Sequence, residues 1–105
     1  MSTTQNLIAA LSAHIGQHKG VTAQHLAVLL GCPPRRVRQL VTEARLDGSA
    51  ICGTPRDGYY FAETAEELTA TIDFLKGRAL CSLQLASRMS RVPMPDLLGQ
   101  LHLPT

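Results

Sequence analysis

Arg35, Arg36, Arg38 and Arg45 fall within eleven residues of one another, together with Gln39 and Thr42, and Glu43 is the one acid among them. Widened to Lys19–Arg56, six cations meet two acids, a net of +4, which is an electrostatic footprint for phosphate. The charge then reverses. Residues 57–75 carry Asp57, Glu63, Glu66, Glu67 and Asp73 with no lysine or arginine, and residues 76–91 carry Lys76, Arg78, Arg88 and Arg91 with no acid. The whole chain sums to only +2, so the blocks carry a signal that the total hides. A purely solvated arginine face paired with Glu43 would gain little, because exposed pairs are worth under ~1 kcal/mol each.

Other residues that could do chemistry form weaker sets. His14 and His18 stand at a helical i, i+4 spacing that can hold a metal, but no third ligand is placed beside them, so no metal site and no cofactor is expected. Cys32, Cys52 and Cys81 are odd in number and contain no Cys-x-x-Cys pair, which speaks against a disulfide framework or a zinc ribbon. Cys32 and Cys81 are expected to be buried small hydrophobes. No Ser/His/Asp set, phosphate-binding glycine loop or working pair of carboxylates is present, and the expectation is that the chain is not an enzyme.

The elements that must position these residues are short. At 105 residues and 45% hydrophobic content the chain suits one core, with no room for a second catalytic domain. Two Tyr, two Phe and no Trp argue against an aromatic base-stacking platform. No apolar run approaches the roughly 18 residues of a membrane span, and the opening residues lack a basic leader, so a cytoplasmic protein with no membrane partner is expected. Leu7, Ile8, Leu11 and Ile15 predict a first helix over 4–18. Thr22 caps a second, with Leu26, Leu29 and Leu30 along one side, until Gly31 stops it. Pro33 or Pro34 opens a third, whose Val37, Leu40, Val41 and Ala44 form a core stripe that ends at Asp47-Gly48. Arg35, Arg38, Gln39, Thr42 and Arg45 then face outward. Residues 50–53 and 59–62 predict a hairpin with Arg56 at its tip. Thr64 and Glu67 make a capping box for a long helix over 65–91. That helix has two apolar stripes: Leu68, Ile72, Leu75, Ala79, Leu83 and Ala86 to cover the domain, and Phe74, Cys81, Leu85 and Met89 for a partner.

The order helix, helix, turn, helix, hairpin, long helix resembles the winged helix-turn-helix family, and residues 23–42 carry the resemblance. Ala27 precedes the turn glycine Gly31 by four, and Val37 and Leu40 follow it by six and nine, with Leu26, Leu30 and Cys32 at the remaining core positions. A small residue lets the two helices cross closely, and glycine takes the positive φ of the turn. The stretch GYYFAETAEEL is similar to the junction between wing and final helix in small prokaryotic and phage regulators. The expected fold is therefore mainly α with a small β-hairpin, a winged helix-turn-helix over residues 1–92, followed by a tail or docking arm over 93–105.

The resemblance implies a recognition helix over residues 34–46 in the major groove and a wing over 53–58 on the neighbouring backbone or minor groove. Arg35, Arg38 and Gln39 suit base edges, since arginine pairs with guanine and glutamine with adenine. Lys19, Thr22 and Gln24 would meet phosphates, and Pro34, Arg36, Thr42, Arg45 and Arg56 complete the expected DNA surface. The function implied is a sequence-specific, double-stranded DNA-binding regulator, a repressor of prokaryotic or phage type, with no small-molecule effector evident. The alternative is a winged-helix protein-interaction module in a replication or phage inhibitor assembly. A homodimer is expected through Phe74, Cys81, Leu85 and Met89 of the long helix, with Leu97, Leu98 and Leu101 of the tail laid on the partner.

Overall fold

Thr3 starts the first helix: its Oγ1 accepts the Asn6 N–H, which satisfies one of the donors a helix start leaves open. The computed structural model describes residues 3–100, and this helix, α1, spans Thr4–Leu11. It is shorter than its periodicity predicts. Only Leu7 and Leu11 are buried, while Ile8 and Ile15 are exposed. The chain leaves the helix because His14–Val21 is needed as a partner for the hairpin.

Helix α2 (Ala23–Leu30) is capped by Thr22, whose Oγ1 accepts the His25 N–H, and ends at Gly31 in the left-handed region, φ 67°. Helix α3 (Pro34–Leu46) begins on Pro34, where the missing N–H has no intrahelical acceptor to lose. Strands β1 (Ile51–Thr54) and β2 (Gly58–Phe61) pair antiparallel, Ile51 with Phe61 and Cys52 with Tyr60. A third lane lies along β2. The Gly16 N–H donates to the Phe61 carbonyl, the Phe61 N–H to the His14 carbonyl, and Val21 and Tyr59 exchange both backbone hydrogen bonds. Gly58 is required here twice over. Its φ is 77°, and a Cβ would sit 2.5 Å from the Val21 carbonyl oxygen.

The core is Leu7 and Leu11 from α1, Leu26 and Ala27 from α2, Val37, Leu40, Val41 and Ala44 from α3, together with Val21 and Ile51. The hairpin alternates as a strand should. Ile51, Tyr59 and Phe61 pack on that core, and Cys52 and Tyr60 turn to the other side. There the Cys52 thiol donates to the Glu67 carbonyl and the Tyr60 hydroxyl pairs with Thr71. Leu29 is exposed, so the buried side of α2 runs through Leu26, Ala27 and Leu30.

Helix α4 spans Ala65–Ser90 and α5 spans Met94–Gln100. The chain forms two compact units, and the boundary between them falls after Thr71, inside α4. Thr71 is the only buried residue of α4. Of the stripe expected to cover the domain, Leu68 in the first unit is half-buried, and in the second unit Ile72 and Leu75 are exposed and Leu83 is half-buried. In the second unit, Arg91 takes a positive φ of 58° after the helix end, and the Ser87 hydroxyl donates to the Val92 carbonyl at 2.6 Å. Among the described residues no helix is long and apolar enough to cross a membrane.

Candidate nucleic-acid interface

The α2–turn–α3 unit sets the direction of every side chain on the arginine-rich helix. Gly31 reverses the chain, and the Cys32 N–H returns to the Ala27 carbonyl at 3.1 Å, which closes the end of α2. Val37, Leu40, Val41 and Ala44 then clamp α3 to the core, all at 2% exposure or less. At 100° per residue the opposite side of the helix is centred on Arg35, Gln39 and Thr42, with Arg38 beside them. All four are exposed.

The arginines are not equivalent. The guanidinium groups of Arg35 and Arg38 make no hydrogen bond or ion pair among the described residues, so their forks are available to a ligand. Arg36 sits on one flank, half-buried, with Nη1 3.4 Å from Gln39 Oε1 and 3.6 Å from Glu43 Oε1. Arg45 sits on the other flank. Its Nε donates to the Ile51 carbonyl at 2.8 Å, and burial lowers its pKa. Arg45, expected on the DNA surface, is tied through Nε to the root of β1, because the next turn of chain brings a strand carbonyl within its reach. The Thr42 hydroxyl donates to the Arg38 carbonyl at 3.1 Å. Leu46, with 82% of its surface exposed, ends this side of the helix.

Around α3 lie the remaining expected contacts. Lys19, Thr22 and Gln24 are exposed at the approach to α2. The Thr22 hydroxyl is taken by its cap, while the N–H groups of Ala23 and Gln24 at the helix start have no intrahelical acceptor and favour an anion. Gln24, Cys32 and Pro34 line a shallow groove between the helices, where Cys32 is half-buried and not sealed in the core.

The hairpin turn is braced from within. The Asp57 N–H and one Asp57 carboxylate oxygen both bond Thr54 Oγ1 at 3.1 Å, and Gln17 Nε2 donates to the same oxygen at 2.9 Å. Arg56 is left exposed at the tip. The sequence missed this role of Gln17 and the second brace behind it. Glu67 accepts the Gln17 N–H on one oxygen and the Glu63 N–H on the other, at 3.0 and 2.9 Å, and these bonds hold its carboxyl below the usual range. The available signal was a capping-box glutamate with a second oxygen to spare.

Other expectations resolve differently. The i, i+4 geometry of His14 and His18 dissolves, since α1 ends at Leu11, and the His14 ring Nδ1 lies 2.8 Å from the Lys19 carbonyl. Among the described residues no cluster of three metal-ligating side chains forms. Cys81 is exposed, contrary to the buried-hydrophobe expectation, and Cys52 is the buried thiol. Phe74, Leu85, Met89 and Leu98 are also exposed. Leu97 lies in α5, and Leu101 lies outside the described residues. Comparison with known protein families, curated proteins and solved structures finds no match to this chain.

Proposed function

We propose that this protein is a sequence-specific, double-stranded DNA-binding regulator that inserts α3 in the major groove and rests the hairpin turn on the adjacent backbone. The observation that carries the reading is the exposed trio Arg35, Arg38 and Gln39 on one side of a helix pinned to its core on the other. Two of its guanidinium groups are spare, and their desolvation by base edges and phosphates is compensated by bidentate bonds. Lys19 and Arg56 extend the positive surface toward phosphates.

The reading further assigns repressor-type regulation, with two copies per site. It is tested by gel shift on random duplex at low salt, followed by selection of preferred sites. A salt-sensitive shift and an enriched consensus are expected. Failure to shift any duplex at low salt would transfer the arginine face to the alternative, docking of an acidic protein partner.

A further inference from the structure

A notch interrupts the α4 surface where Phe74, Gly77, Cys81 and Leu85 follow one another along the helix, flanked by Arg78 and Ser82. It exists because Gly77 has no side chain. Glycine in the middle of an exposed helix is disfavoured relative to alanine, since it loses more backbone freedom on folding. Nothing among the described residues asks for it. A Cβ built on Gly77 meets no atom within 4 Å, and its φ is not positive. The remaining use of glycine on a helix surface is close approach by another backbone.

Charge says which backbone. Glu66 stands eleven residues before Gly77 and Arg88 eleven after it, and at 100° per residue both lie on the side of the helix that Gly77 occupies. A second copy crossing antiparallel at Gly77 therefore brings Glu66 of each chain to Arg88 of the other. The same crossing seats the Phe74 ring of each chain over the notch between Gly77 and Cys81 of its mate, so the surface is complementary to itself, as a two-fold contact requires. A parallel pair would set Glu66 on Glu66 and Arg88 on Arg88. The apolar residues it would cover are otherwise open to solvent, Leu85 at 64% and Phe74 at 36%.

We infer that α4 is the contact between two copies of this chain, antiparallel, with the two-fold axis at Gly77. The inference does not depend on DNA binding, and its test contains no DNA. Sedimentation of the full chain at tens of micromolar is expected to show a dimer. Gly77→Leu is expected to give a monomer whose helical circular dichroism is undiminished, because leucine is the better helix former and its Cβ has free space. Glu66→Arg and Arg88→Glu are each expected to weaken association several-fold at low salt, and the double variant to recover it. The macrodipole of a lone helix opposes both changes together, so recovery isolates the pairing between chains. A monomeric intact chain, a dimeric Gly77→Leu variant, or a double variant no better than the singles would each overturn the inference.

Discussion

An arginine reads DNA only if nothing else holds its guanidinium, and α3 divides its four on that ground. The Arg38 guanidinium is exposed and has no partner among the described residues, whereas Arg45 is drawn in by the Ile51 carbonyl. Arg38→Ala is expected to weaken specific binding by roughly 1–3 kcal/mol and to relax preference at one base, while Arg56→Ala at the turn tip weakens all sequences alike and lowers the salt slope by about one. Binding curves across a salt series separate the two; unchanged affinity in Arg38→Ala removes α3 from the groove. Glu67 gives a second prediction at this scale. Its carboxyl is depressed by the Gln17 and Glu63 N–H bonds, so the stability it contributes is present above the unfolded carboxylate range and lost as pH falls through the lower folded value. Thermal melts between pH 2 and 7 should show Glu67→Gln below the native chain at neutral pH, with the gap closing in acid. A constant gap would mean that the charge on Glu67 has no part in holding the Gln17 backbone.

Helix α2, the turn and α3 were legible because each residue had one job that local chemistry names: Thr22 to cap, Gly31 to reverse, Ala27 to be small, Val37 and Leu40 to pack. Helix α1 was not. Ile15 continues the helical spacing of Leu7 and Leu11, yet the His14 carbonyl and Gly16 N–H on either side of it are spent on Phe61, 46 positions beyond Ile15, which no local pattern reveals. The same limit explains Arg45, whose acceptor is a strand carbonyl, and the exposed stripe of α4, whose periodicity states that a surface is apolar without stating what covers it. Ala27 tests the legible part. It is buried where α2 meets α3, and Ala27→Leu is expected to cost about 1–3 kcal/mol by overpacking, lowering the melting temperature and abolishing DNA binding together. A variant that melts at the native temperature would show slack at a crossing that the buried Ala27 and Val37 indicate is tight.

For the whole molecule, the number of spare cations sets what one copy can do. Of the six cations in residues 19–56, Arg36 and Arg45 are engaged, which leaves Lys19, Arg35, Arg38 and Arg56. At a slope of about −0.9 per phosphate neutralised, these four give one copy roughly −4 in log affinity against log salt. Two copies joined at α4 double that slope and turn the second encounter into an intramolecular one, which raises affinity by roughly 10²–10⁴ without a new contact. The proposed regulator should therefore prefer inverted repeats whose half-sites lie about 10 bp apart, or a multiple of that spacing, since two symmetry-related recognition helices must meet the same face of the duplex. Inserting about 5 bp between half-sites is expected to remove the gain by turning one half-site to the far face, and inserting about 10 bp to restore part of it. Gly77→Leu should bind a single half-site as the native chain does and lose the preference for the repeat. If Gly77→Leu keeps the repeat preference, the pairing that matters on DNA is made elsewhere than at α4.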